Sequence, residues 1–223
     1  VVQSPDGRPI FSLTEPGYPL GRGGGLFQIH ANGYGLSEYD TSGRRLWSFG
    51  GVSPVTAFDA IPGRRVVGFL GGGLFHRFSR PEDGGGEEAP WTPVKLPPAE
   101  TELVYDVAFT PKGEALLVRS GLEPQSVSYF DLEAGLAEPR WTYEPAVASM
   151  RPEVLALLTA GEVAVEVSRE VHLLRRDTGA LLRRIEAAEL GDVVEFRETG
   201  LSLYLLSREN GSREELRLLE SSG

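Results

Sequence analysis

Tyr18-Pro-Leu, Gly23-Gly-Gly-Leu-Phe-Gln-Ile-His30, Tyr34-Gly-Leu-Ser-Glu-Tyr39, Asp40-Thr-Ser-Gly43 and Arg44-Arg-Leu-Trp47-Ser-Phe49 follow one another between Tyr18 and Gly50. Each is a short apolar or alternating run bounded by Gly, Pro, Asn or Asp. That pattern marks strands joined by tight turns. Asp40-Thr-Ser-Gly43 suits a hairpin, because Asp accepts the amides of its own turn and Gly tolerates positive φ.

The pattern recurs along the chain. A second copy has Val55–Phe58, Arg65–Phe69, Gly71–Phe78 and Trp91. A third has Val104–Phe109, Ala115–Val118, Val127–Asp131 and Gly135 through Trp141. A fourth has Val154–Leu158, Val163–Val167, Val171–Leu174 and Gly179 through Ile185. A fifth has Val193–Phe196, Leu201–Leu206 and Leu216–Leu219, one strand short. Gly43, Gly135, Gly179 and Gly223 set a period of 44 to 46 residues. Four strands per unit at this spacing predict an all-β propeller, whose units bury their two apolar faces only by packing on neighbours.

The missing strand is matched at the other end of the chain. Gly7-Arg8-Pro9-Ile10-Phe11-Ser12-Leu13 aligns position by position with Gly43–Phe49. The expectation is a single domain, 1–223, of about five four-stranded antiparallel blades, the last closed by this N-terminal strand. Pro9 fits an outer edge, where no ladder donor is needed. Val1–Asp6 also resembles the end of a third strand and overlaps the place of Leu218–Ser222, which leaves open a larger ring. The opening Val1-Val2-Gln3, without methionine, reads as a fragment or a processed product. The repeat register also predicts a strand at Ala180–Ile185, against a helix-like spacing over Leu181–Leu190.

Composition bounds the function. Asp and Glu total 32 against 22 Lys and Arg, a net charge of −10, so a nucleic-acid role, which needs a basic stripe, is not expected. Cys is absent, which removes disulfides and thiol chemistry. No apolar run is long enough to insert in a membrane.

Tyr39-Asp40-Thr41-Ser42-Gly43-Arg44-Arg45-Leu46-Trp47 resembles the quinoprotein-like (PQQ-like) propeller repeat, in which a strand ends in Asp, turns through Gly and leads to Trp. Phe130-Asp131, Gly135 and Trp141 carry the same pattern with an insertion. The fourth copy keeps Leu174 and Gly179 but has Arg175 for Asp. The resemblance implies a sheet scaffold of the kind used in bacterial envelopes to dock proteins. It implies no cofactor here, because the acid-rich site motif of the longer quinone enzymes is missing.

Other chemistry finds little support. In Gly21-Arg-Gly-Gly-Gly25 the third glycine of a dinucleotide fingerprint is replaced by Leu26 and no helix follows, so it reads as a turn. Gly71–Gly73 reads the same way. His30, His76 and His172 lie in different units, so no metal site is expected. Glu82, Asp83, Glu87 and Glu88 around Gly84–Gly86 lack the ligand register of a calcium loop and read as a solvated insertion. The three tryptophans recur at one position of the repeat and read as core.

Two functional readings remain. The leading one is a non-enzymatic binding or scaffold propeller in the periplasm or cell envelope, with the cytoplasm left open. Its partner is another protein or a flanking domain of its own chain. The binding candidates are the loop residues Tyr18, Asn32, Tyr34, Leu70, Gln125, Arg169 and Asn210. The alternative is a glycan-acting hydrolase or sugar-binding propeller using Asp59, Asp106, Glu153 and Glu195 on or beside the axis-lining first strands. Two of these acids facing one cavity, about 5 to 10 Å apart, would favour it.

Overall fold

The structure is a computed structural model of the chain. It describes 13, 15–79, 89–110, 112–149, 161–168 and 170–186 in full, and as strand backbone 2–3, 9–11, 154–157, 192–199, 202–209 and 213–219. All regular elements among these residues are strands: β1 (Val2–Gln3), β2 (Pro9–Phe11), β3 (Gly17–Arg22), β4 (Gly25–His30), β5 (Gly35–Tyr39), β6 (Arg45–Gly50), β7 (Val55–Ile61), β8 (Arg64–Phe69), β9 (Leu74–Phe78) and β10 (Trp91–Pro93). The remainder are β11 (Val104–Phe109), β12 (Ala115–Ser120), β13 (Ser126–Asp131), β14 (Trp141–Tyr143), β15 (Val154–Leu157), β16 (Glu162–Val167), β17 (Glu170–Arg175), β18 (Leu181–Glu186), β19 (Asp192–Thr199), β20 (Ser202–Glu209) and β21 (Arg213–Leu219).

Four consecutive four-stranded meanders result: β3–β6, β7–β10, β11–β14 and β15–β18. They are sheets 1 to 4 below, and every strand pair is antiparallel. The strand at Leu181–Glu186 agrees with the repeat register. Turn chemistry repeats as well. The Asp40 carboxylate accepts the amides of Ser42 (2.9 Å) and Arg44 (3.0 Å), and Gly43 takes φ +84°. Asp131 accepts the Glu133 amide at 3.0 Å and Gly135 takes φ +100°. In sheet 4, where Arg175 replaces the Asp, the turn is closed by backbone bonds from Gly179 N to Arg175 O and from Arg175 N to Ala180 O, both 2.8 Å, and Thr178 Oγ1 accepts the Ala180 amide at 3.4 Å.

The cores lie between sheets. Phe27, Leu36 and Trp47 of sheet 1 meet Ala60, Phe58 and Trp91 of sheet 2. Val66 and Leu74 meet Val107, Phe109, Leu116 and Val118 of sheet 3. Ala115, Leu117, Tyr129 and Trp141 meet Val163, Val165 and Leu174 of sheet 4. Strand β12 shows why: its alternate residues face opposite ways, so Leu116 and Val118 pack on sheet 2 while Ala115 and Leu117 pack on sheet 4. Strand β12 is therefore apolar on both faces over Ala115–Val118. The outer β18 has five exposed residues in six, Ile185 alone being buried. The tryptophans occupy the expected seams. Trp91 stacks on Phe49 at 4.5 Å, Trp141 stacks on Tyr129 at 5.2 Å, and the Trp141 indole donates to the Arg176 carbonyl of sheet 4.

The chain ends differ from the expected arrangement. β2 pairs with β1, with Val2 opposite Phe11, and β19–β21 stand as a three-stranded sheet. Pairing of the N-terminal strand with the last sheet is not seen among the described residues. A hairpin with the adjacent segment closes a much shorter loop and costs less chain entropy.

Candidate functional site

In a four-stranded meander the second and fourth strands finish at the same end. The turns between second and third strands (31–34, 70–73, 121–125) therefore lie beside the connections to the next sheet (51–54, 94–103, 144–149). Backbone hydrogen bonds join the first two turns to the connection 51–54 and the third turn to the connection 94–103. Val55 N donates to Gly33 O and Gly51 N to Tyr34 O; Leu70 N donates to Pro54 O; Gly121 N donates to Leu103 O, and Glu100 N to Glu123 O. At Gly72, with φ +82°, the turn of sheet 2 packs directly on Glu102 of the next connection. Such pairing satisfies loop amides and makes these loops rigid.

Among the described residues, this end carries most of the large exposed apolar side chains. Tyr18, Tyr34, Val52, Leu70 and Val147 are all exposed there, Val52 completely. Asn32 accepts the Tyr34 amide at 2.9 Å, a local turn that holds the tyrosine outward. Asn32, Tyr34 and Leu70 stand in turns at this solvent-facing end, whereas Tyr18, expected in a loop, is the second residue of strand β3, paired opposite Ile29 with its side chain in solvent. Val52 and Val147 were missed; the signal was a bulky apolar residue inside a turn, Gly51-Val52-Ser53-Pro54 and Ala146-Val147-Ala148.

Gln125 departs from expectation. It is 2% exposed, and its carbonyl oxygen accepts Arg119 Nη2 (2.5 Å), Arg119 Nε (3.1 Å) and the Ser149 amide (2.8 Å). Arg119 is fully buried and also donates to the Glu166 carbonyl of sheet 4. A buried guanidinium demands acceptors, and Gln125 supplies one, while its Nε2 donates to the Ser149 carbonyl at 3.1 Å, so both ends of the amide are engaged within the fold. Arg169 and Asn210 lie outside the described residues, as do the acidic 80–88 segment and the side chains of Glu153 and Glu195.

Asp59 and Asp106 serve the scaffold. Asp59 Oδ2 accepts the Phe109 amide of sheet 3 at 2.7 Å, and burial pushes its carboxyl above the usual range. Asp106 Oδ1 accepts the Val107 amide at 2.9 Å. Neither lines the cavity of about 810 Å³ at the opposite end, between sheets 3 and 4. That cavity is crossed by ion pairs, Arg176 to Glu114 at 2.6 Å and Arg140 to Asp131 at 3.4 Å. Among the described residues no three His, Cys, Asp or Glu side chains gather to hold a metal, and no helix is long and apolar enough to cross a membrane.

A family model for beta-propeller proteins matches residues 1–134. The chain belongs to the beta-propeller proteins. Its four complete sheets are blades, each packed on the next. The propeller is similar in fold to BamB from Moraxella catarrhalis, with 20% identity, a TM-score of 0.57, and coverage of 87% of this chain and 55% of that one. It is similar to the computationally designed Ika8 protein (13% identity, TM-score 0.58, 90% and 57% covered). It is also similar to the Cps50 (Swd1) β-propeller domain of Myceliophteria thermophila (13%, 0.57, 89% and 70%). At these identities the likeness is one of fold. The chain spans just over half the length of the first two structures. No curated protein sequence matches the propeller.

Proposed function

We propose that this propeller is a non-enzymatic interaction module that docks a protein through the end bearing Tyr18, Asn32, Tyr34, Val52, Leu70 and Val147. The observation that carries the reading is the gathering, among the described residues, of five of the eight large exposed apolar side chains at one end. Aromatic and aliphatic side chains held on rigid loops supply contact area at little entropic cost. The involvement of Asp59 in joining blades weighs for a scaffold over a glycan-acting site.

We place the chain in the PQQ-like repeat group, with about five blades, on the Asp-Gly-Trp pattern of Tyr39–Trp47 and its echo at Asp131–Trp141. The resemblance carries with it a place in the periplasm or cell envelope. A photo-crosslinking residue at position 52, compared with one at position 78 on the opposite end, tests the docking face in cells producing the chain. A discrete protein adduct from 52 that is absent from 78 is the expected result. Equal adducts from both positions, or none from either, would end the reading.

A further inference from the structure

The docking end is chemically polarised. The turn 31–34 and the connection 51–54, at blades 1 and 2, hold Tyr34 and Val52 and no charged residue. Among the described residues, the loops that follow, toward blades 3 and 4, expose Glu100, Glu102, Glu123 and Glu144 and the one cation Lys95. None of these four carboxylates makes an ion pair among the described residues. They are not remote from the apolar residues. Glu102 packs on Gly72, two positions from Leu70, and Glu144 lies on the same connection as Val147. The hydrogen bond from Glu100 N to Glu123 O (2.9 Å) holds the two loops together. The net charge of −10 adds a long-range field of the same sign.

We infer that the partner docked on this end presents Lys or Arg side chains beside apolar ones, the apolar part over Tyr34 and Val52 and the basic part over Glu100, Glu102, Glu123 and Glu144. The inference rests on the docking reading above and adds the partner's chemistry. An acidic segment would bring like charges together at the rim, which is repelled. A basic one is steered toward it and held in register.

Selection of a random dodecapeptide display library on the immobilised full chain tests this. The expected winners combine Lys or Arg with aromatic or aliphatic residues. Their affinity should fall about tenfold when Glu100, Glu102, Glu123 and Glu144 are all changed to Gln, and again as salt rises from about 50 to about 500 mM. Winners that are neutral or acidic, and that lose binding in Val52→Asp/Leu70→Asp but not in the four-Gln variant, overturn the inference and leave the docking face standing. Winners indifferent to both sets, or no winners, overturn both. All six positions are exposed, and thermal melting of each variant checks that the fold is intact.

Discussion

The carboxylate of Asp59 in β7 accepts the backbone amide of Phe109 in β11 at 2.7 Å, tying the first strand of one blade to that of the next. Thr56 makes a parallel tie, its hydroxyl donating to the Val104 carbonyl at 2.6 Å. Asp59→Ala leaves the Phe109 amide without its acceptor and should cost about 1–3 kcal/mol in urea unfolding at pH 7. Asp59→Asn keeps an acceptor and removes a buried charge, so it should be neutral or stabilising. The native carboxyl holds its proton more tightly than the unfolded one. Wild type therefore loses stability relative to Asp59→Asn as pH rises through the carboxyl range.

His76 predicts pH dependence of the opposite sign. Burial, with Arg64 nearby, pushes its imidazole down to about 4, and its Nε2 has no hydrogen-bond partner among the described residues. The unfolded chain takes the proton first, near pH 6.5. Stability should fall as pH drops from there to about 4, by up to about 3 kcal/mol. His76→Phe should flatten that part of the curve. Unchanged pH dependence in denaturant unfolding of the variant would refute the assignment.

Arg119 and Gln125 should behave as one unit. Arg119→Met strips Gln125 and the Glu166 carbonyl of their donor and should cost about 3 kcal/mol. Gln125→Leu should cost a similar amount by leaving the guanidinium short of an acceptor. The double variant should be less destabilised than the sum of the two, the signature of direct coupling in a double-mutant cycle. Full additivity would place the two residues in separate roles.

Gly72→Ala should loosen the contact between the turn 70–73 and the connection 94–103. A Cβ there overlaps the Cβ of Glu102, and φ +82° is a region that side-chain-bearing residues rarely adopt. The expected cost is about 1–3 kcal/mol in thermal or urea unfolding. Faster amide exchange at Leu70 and Gly121 would show the loosened contact directly. Gly135→Ala, whose Cβ meets nothing within 4 Å, should show the backbone cost at φ +100° alone.

The blades were legible because their signals are local. Asp40 and Gly43 form their turn within four residues, so their chemistry reads the same in sequence and structure. The helical spacing of Leu181–Leu190 gave way to a strand at Leu181–Glu186, because pairing with β17 supplies the backbone partners. Asn32, Tyr34 and Leu70 were readable as turn residues, while Tyr18 was not placed in β3, because Pro19 beside it reads as a strand breaker until the pairing with β4 is seen. The burial of Gln125 was not readable, since it depends on Arg119 and Ser149 arriving from elsewhere. Val52 went unnoticed because an exposed valine and a buried one look alike in a sequence.

Sequence alone determined the repeat: where strands begin and end, which turns need Asp or Gly, and that each unit must bury two faces. Those properties follow from backbone sterics and period-2 alternation. Tertiary structure alone decided which side chains are spent on the fold and which stay in solvent. Asp59 and Arg119 are claimed by neighbouring blades and Gln125 by Arg119 and Ser149, while Tyr34, Val52 and Leu70 are left in solvent. The reason is that a side chain's availability depends on what is packed against it, and those neighbours come from distant parts of the chain.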